Sequence, residues 1–465
     1  MGQSSPVASM TKVFLAALAI RWSYALLLYF FMGNDGLESL DSTTYASYGQ
    51  TFADAIMAGS LRGSHWLGLF AYNMPLFQWL TALPFLLFGE AGTIGYVLLQ
   101  GIFDSGTCVL VYWLARLLDP RLAWPAAICA ISNPTQIVIS GLFYTDTPFT
   151  FFVTLSFYFA ARWIKGPNLT RAVCLGCSLG AAALIRVSIA PWAFCAVGLL
   201  AIYSIWCDRS IGKASGLTAG AAILCASLAT IAGRNFDQYG TFALTPQGGD
   251  YLAMWIVPLA KEAQDRTPFT TSADEMVRRT TARFGPPSAN PFEQSRRYQQ
   301  IGWEALRNEV KWQSLAASWA SGIFINLASP AHLLSPPVSQ LPRTGFYATT
   351  GRSFPEKMFN YALRSGNALY SWLLILGVLG IATVRLLQLL GLCALVQQRA
   401  YWPKLLFAGS WIVFVLLLNG PIASPKYRLP LEPLFNILSG AGIRSIQIYR
   451  QRRFDVSRLT SQQAL

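Results

Sequence analysis

The chain has 465 residues, of which 54% are hydrophobic and only 12% charged, with a formal net charge of +14. Soluble domains carry about 25% charged residues, and several uncharged stretches here reach the roughly 20 residues that cross a bilayer as a helix, so a soluble domain is excluded. The charge that would point a soluble chain toward nucleic acid follows in a membrane protein from Lys- and Arg-rich cytoplasmic loops, and it also suits a basic surface facing a lipid phosphate.

The first apolar run, Val13 to Met32, is too long for a signal-peptide core and has no small-residue cleavage pattern after it. It reads as a retained helix over 12–32 with the N-terminus inside. The stretch 33–73 carries Asp35, Glu38, Asp41 and Asp54 against Arg62 and is expected outside. Within it Asp41, Tyr45, Tyr48, Phe52 and Ala55 recur at helical spacing, which predicts an amphipathic helix on the outer membrane surface. Segment 74–89 contains Pro75 and Pro84 and is short, so it reads as a helix lying along the outer interface. If it crossed, Arg116 would fall outside and Asp146 inside. Six helices then follow over 92–117, 123–143, 147–164, 171–190, 191–206 and 214–232. Their basic connections (Arg116 with Arg121; Arg162, Lys165 and Arg171; Arg209 with Lys213) all fall inside. Runs such as 214–232 do not alternate apolar and polar residues, which argues against a transmembrane barrel.

A polar stretch over 233–312 is expected outside. Segment 313–334 is read as not spanning, because the tail with Arg444, Arg450, Arg452, Arg453 and Arg458 belongs inside. Helices 366–394, 402–420 and 429–447 complete about ten spans in an all-α polytopic membrane protein. Three parts result: a seven-helix membrane module over 1–232, an external acceptor-side region over 233–365, and C-terminal membrane helices with a cytoplasmic tail over 366–465. All eight cysteines, at 108, 129, 174, 177, 195, 207, 225 and 393, lie in or beside apolar runs, so no disulfide is expected. With only His65 and His332, a multi-histidine metal centre is excluded.

The polar residues of interest gather at the outer face. Asp41 heads the first-loop helix, where Asp before Ser-Thr-Thr also makes a good N-cap. Asp146 stands in the short turn before Pro148 and can likewise cap the next helix. Arg186 sits late in the helix over 171–190, inside an apolar run where a charge is costly and usually functional. Arg234 follows the 214–232 helix, and Lys426 and Arg428 precede the last one. Snorkelling explains Arg234 and Lys426 equally well. A guanidinium suits a phosphate oxyanion because it donates in a planar fork and stays charged. Carboxylates and cations on one face suggest a general base beside a phosphate site, but residue types alone do not name a reaction.

The chain resembles the GT-C glycosyltransferases that use polyprenyl-phosphate sugars, and among them the protein mannosyltransferases and lipid A aminoarabinose transferases. The similar segments run in order: LAIRWSYALLLY, LDSTTYASYGQTFADAIMAG, MPLFQWLTALPFLLFGE, TDTPF, GAAALIRVSIAPW, GRNFDQYGTFALTPQGGDYL and SPKYRLPLEPLFNIL. The resemblance implies a GT-C-like fold with interfacial helices in the first external loop. It implies that Asp41 is the catalytic base, that Asp146 is the second external acid, which binds metal in some members, and that Arg428 contacts the lipid-linked phosphate. Arg186 and Arg234 fall at family-like basic positions; Tyr45 and Lys426 join the expected substrate-binding set. No cofactor is certain, although Asp41 and Asp146 could hold a divalent ion such as Mg or Mn. Two departures stand out. Asp41 is followed by Ser42 where many protein mannosyltransferases have a second acid, and Asp146 lacks a second acid two residues away.

The implied activity is an inverting transfer from a polyprenyl-phosphate sugar to an acceptor hydroxyl on a lipid, glycan or protein, at the external face of a bacterial inner membrane. Its lipid would lie in a groove between helices. An oligosaccharide polymerase or ligase is the alternative and would take a diphosphate-linked donor. A transporter would show internal repeats and helices broken near the midplane, neither of which the sequence shows. A noncatalytic scaffold would need neither Asp41 nor Arg428.

Overall fold

Helices account for all regular structure among the described residues, 6–39, 41–206 and 211–463 of the computed structural model. Cys207 and Arg209 lie outside these residues, as do the side chains of Arg452, Arg453 and Arg458. The N-terminal module comprises α1 (Pro6–Met32), α2 (Ser42–Met57), α3 (Pro75–Phe88), α4 (Gly92–Leu118), α5 (Ala123–Ile131), α6 (Pro134–Ser140), α7 (Asp146–Lys165), α8 (Leu169–Ala183), α9 (Ala190–Trp206), α10 (Ile211–Ser215) and α11 (Leu217–Tyr239). A polar layer follows with α12 (Gln247–Tyr251), α13 (Val257–Asp265), α14 (Phe269–Phe284), α15 (Pro291–Asn308), α16 (Trp312–Ala328), α17 (Pro336–Ser339) and α18 (Phe354–Leu363). The chain closes with α19 (Ala368–Val396), α20 (Trp402–Asn419) and α21 (Glu432–Gln463).

Each of the ten expected spans is helical over most of its length, but fewer pass a strict test. By length and apolarity alone, six helical stretches among the described residues can cross a membrane, and seven if one bent pair is counted as a single span. The chain is therefore an all-α integral membrane protein. The shortfall has local causes: α8 has only 15 residues, and α7 carries Asp146, Arg162 and Lys165 at its ends. Helix α3 has 14 residues, a rise of about 21 Å, less than the hydrocarbon thickness of roughly 30 Å. It folds back on the start of α4, where a side-chain carbon on Gly92 or Gly95 would meet Phe85 or Phe88. Glycines also set the closest helix pairs. Gly176 and Gly220 bring α8 against α11, and Gly391 and Gly442 bring α19 against α21, where an added Cβ would come within 2.1 Å of the facing backbone oxygen.

The expectation that no helix is broken fails. Segment 123–143 is split into α5 and α6 with a 49° bend. Asn133 and Pro134 cause it: Asn133 is extended, and its side chain caps α6 by accepting from the amides of Thr135 and Gln136. The break frees carbonyls of α5, which need partners in a low-dielectric interior. Arg21 of α1 supplies them, donating to the carbonyls of Ala130 (2.8 Å) and Ile131 (2.5 Å) and to the Asp104 carboxylate of α4 (2.7 Å). From Asp104 the bonding continues through Gln136, Asn436, Asn133 and Glu432 to Arg428. The end pairs, Arg21–Asp104 and Arg428–Glu432, are almost fully buried. Removing one partner of a buried pair costs about 3–5 kcal/mol, because the other charge is stranded. Arg21→Ala should lower unfolding stability in detergent micelles by that amount, and pairing Arg21→Met with Asp104→Leu should recover only the part due to the stranded Asp104 charge, because the Ala130 and Ile131 carbonyls still lack a donor. Equal stability of wild type and Arg21→Ala would contradict the role of the bridge.

Candidate active site

Helix α2 begins with a serine-threonine run, yet Asp41 does not cap it, since no side-chain cap bond forms there. The buried face of α2 runs through Ser42, Ala46, Gly49, Phe52 and Ala53, shifted from the predicted face but sharing Phe52 with it, with Tyr45 half-buried at its edge. Gly49 is the reason. A Cβ there would lie 2.9 Å from Thr81 Cβ, so only glycine lets α2 sit this close to α3. Helix α3 is anchored in turn by its Leu76 amide, which donates 2.9 Å to the carbonyl of Leu184 just past α8. There the apolar run stops being helical. Arg186, expected late in a helix over 171–190, instead lies in extended backbone after α8.

These anchors bring two ion pairs to one end of the bundle. Lys426 donates to the Asp41 carboxylate at 2.5 Å, joining positions 385 residues apart in sequence. Arg186 pairs with Asp146. Capping does not explain Asp146 either, because α7 has no side-chain cap bond. The exposures are unequal: the Lys426 side chain is 8% exposed and that of Asp41 53%. Asp41 is thus the open partner of a buried ammonium.

Aromatic hydroxyls fill the space between the pairs. Tyr45 lies within electrostatic reach of Lys426, Asp41, Arg186 and Asp146 and packs edge-on against Phe77 of α3. Burial pushes its hydroxyl pKa up, against the pull of Lys426. Lys426 lies over the rings of Tyr144 (5.1 Å) and Tyr427 (5.5 Å). Burial pushes Tyr144 up to about 12. Burial also works against the Lys426 ammonium, but Tyr427, Asp41, Tyr144 and Asp146 outweigh it and hold the group above the usual lysine value. Tyr144 donates to the Ser39 carbonyl at 2.7 Å, tying the turn before α7 to the start of the first-loop helix. Sequence reasoning missed Tyr144 and Tyr427, although both stand beside residues it singled out, in FYTDTP and SPKYR.

Three other expectations read differently in the structure. Arg428, expected at the lipid phosphate, is 2% exposed and already committed. It pairs with Glu432 at 2.5 Å and donates to the carbonyls of Asn326 and Ser329 and to the Thr135 hydroxyl. The cation that faces Asp41 is Lys426. Arg234, expected after a helix, is buried inside α11 and donates to the Asn73 carbonyl and the Asn235 side chain. None of its bonds reaches the Asp41 group. As a metal site the carboxylates fit poorly: Asp41 and Asp146 each hold a cation, and among the described residues no group of three or more His, Cys, Asp or Glu is placed to bind an ion.

Below the cluster runs an apolar groove of about 760 Å³ between α19 and α20, floored by Phe435 and Leu438 of α21. Its upper rim includes Phe324 and Leu327 of α16, and the Leu327 carbonyl accepts from Arg428. A smaller cavity of about 30 Å³ lies against Asp146, Arg186 and Tyr427 and is closed on its apolar side by Trp411 and Phe414.

Comparison with known proteins bears on this arrangement. A family model described as dolichyl-phosphate-mannose-protein mannosyltransferase matches residues 49–232. That match takes in Asp146 and Arg186 and stops short of Asp41, Tyr45 and Lys426. No curated protein matches the chain. Two solved structures of ArnT from Cupriavidus metallidurans are similar. The apo state has 15% identity over 94% of this chain and 77% of that one, with a TM-score of 0.36. The form bound to undecaprenyl phosphate has 14% identity over 92% and 77%, with a TM-score of 0.37. Scores of this size carry no argument.

The two cations of SPKYR separate cleanly by experiment. Arg428→Ala strands the buried Glu432 and should cost about 3–5 kcal/mol in unfolding stability. Lys426→Met should leave the protein folded, because Asp41 stays hydrated. Comparable losses of melting temperature for the two variants would contradict this division.

Proposed function

We propose that the chain is an inverting glycosyltransferase that moves a sugar from a polyprenyl-phosphate donor to an acceptor hydroxyl at the external, periplasmic face of an inner membrane. The observation that carries this reading is the Asp41–Lys426 pair, a half-exposed carboxylate held against a buried ammonium, in a protein that also carries a large apolar groove between its helices. The family match to mannosyltransferases over residues 49–232 supports a glycosyltransferase. A lipid monophosphate needs an apolar channel for its chain and cations for its head, and the groove, Lys426 and Arg186 meet both needs.

The acceptor oxygen attacks the anomeric carbon from the face opposite the phosphate. The bond from that carbon to the phosphate oxygen breaks, and the acceptor proton passes to Asp41. Lys426, with Arg186 beside it, stabilises the negative charge that grows on the departing lipid phosphate. Fixed charges in a site partly shut from water act strongly on such a transition state. Lys426 has one strong partner before the donor arrives, the Asp41 carboxylate. A phosphate that takes over the ammonium releases Asp41 to act as base, so donor binding and base activation are linked. Arg428 acts through position: its bonds fix the segment Pro425–Leu431 that carries Lys426. No step is routed through a metal ion. The layer from α12 to α18 covers the acceptor side.

A positioned base contributes roughly 10²–10⁴-fold. In nanodiscs, Asp41→Asn should lower transfer by that factor while the protein stays folded, with a lower melting temperature than wild type because the buried Lys426 ammonium loses its counter-charge. Asp146→Asn should weaken donor binding by loosening Arg186. Asp41→Asn turnover within threefold of wild type would remove Asp41 from the chemistry.

A further inference from the structure

One group of side chains beside the site has no part in the chemistry above. Trp255, Phe269, Phe346 and Tyr347 form a continuous aromatic wall in the polar layer. Trp255 lies 5.1 Å from Phe269 and 5.5 Å from Tyr347, and Phe346 lies 5.4 Å from Tyr347, between ring centroids. All four are only partly buried. None belongs to the buried apolar cluster of this layer, which gathers on Ala253, Val257, Met276, Ile301 and Ala305. The rings pack on one another, and their partial exposure leaves part of the wall facing solvent.

The wall is built against the active site. The Tyr347 hydroxyl donates to the Ala423 carbonyl (3.2 Å) and accepts from the Ala423 amide (3.1 Å), three residues before Lys426. Tyr251 hydrogen-bonds with Tyr427. Between Tyr251 and the wall the helix widens into a π-helical turn, Leu252–Ile256. Such turns are rare and recur at functional sites, where they shift side chains off the regular helical face. Here the shift presents Trp255 to Tyr347 while Leu252 and Ala253 stay buried.

We propose that Trp255 and Tyr347 form a saccharide-binding subsite for the acceptor, so that the hydroxyl entering the reaction belongs to a sugar ring rather than to a protein side chain. This rests on the proposed transferase reading. An aromatic face carries negative charge density and attracts the slightly positive C–H face of a sugar. The lipid-borne donor approaches from the membrane through the groove, whereas the wall lies in the polar layer over the Ala423–Tyr427 segment. The molecule that meets the wall is therefore the acceptor. Glu262, which pairs with Lys357 in this same layer and is within electrostatic reach of Tyr347, supplies a carboxylate for sugar hydroxyls.

The test is direct binding, read without turnover. Saturation-transfer difference NMR on the purified protein would compare a panel of methyl glycosides with a short Ser/Thr-containing peptide. At least one glycoside should bind, about tenfold more weakly to Trp255→Ala and within threefold of wild type to Trp255→Phe. In steady state, Trp255→Ala should raise the KM for a saccharide acceptor about tenfold and leave the donor KM unchanged. Binding of the peptide alone, of no glycoside, or of a glycoside indifferent to Trp255→Ala would overturn the subsite. Failure of the transferase reading is a different result: no polyprenyl-phosphate sugar is consumed, whatever the glycosides do.

Discussion

The break between α5 and α6 governs much of the rest of the molecule. Inside a bilayer every freed carbonyl must find a donor within the protein, and the carbonyls of Ala130 and Ile131 find Arg21. A guanidinium at that depth needs a counter-charge, which Asp104 provides. Asp104 needs its second oxygen filled, which Gln136 does. The chain of needs ends only at Arg428 and Glu432. One helix break thereby ties α1, α4, α6 and α21 together and fixes the short segment before α21. Lys426 is carried on that segment, so a structural obligation in the membrane interior sets the position of the active-site cation.

The site itself is a balance between two unequal pairs. Asp146 and Arg186 are 3% and 27% exposed and form the closed pair. Asp41 and Lys426 form the open one, with the carboxylate toward water and the ammonium buried. Stranding a buried ammonium is expensive, and Asp41 is the anion that Lys426 holds. In the proposed reaction a donor phosphate oxygen takes that place. The surrounding tyrosines offer hydroxyls without adding charge, which keeps the local field dependent on the four ionised groups.

Much of this was legible in the sequence. Charge asymmetry of the loops and the length of apolar runs gave the helical membrane class. The spacing of Asp41 and Tyr45 gave a first-loop helix, Arg186 stood out as a charge inside an apolar run, and Asp146 and Lys426 as charges at the outer ends of helices. Arg428 was expected at the lipid phosphate from the resemblance, and a guanidinium suits a phosphate oxyanion. Yet its five donors also make arginine the better clamp for loose carbonyls, and Asn326 and Ser329 claim it. Local patterns also could not show that Gly49 rotates the buried face of α2, since the reason lies on α3. Asp104, a lone acid in the apolar run of α4, and Arg21 are each visible as costly charges. Their pairing needed the fold, because 83 residues separate them. Ser-Asn-Pro at 132–134 is a turn signal that marks the broken helix inside this apolar run.

The most direct test of the central claim is a transfer assay with the wild-type protein in nanodiscs, offered polyprenyl-monophosphate sugars and diphosphate-linked oligosaccharides side by side. Lys426 and Arg186 offer one small cationic group suited to a single phosphate, and the proposed reaction predicts that a monophosphate donor is consumed with inversion at the anomeric carbon. Consumption of the diphosphate-linked donor alone would contradict it and make the protein a polymerase or ligase.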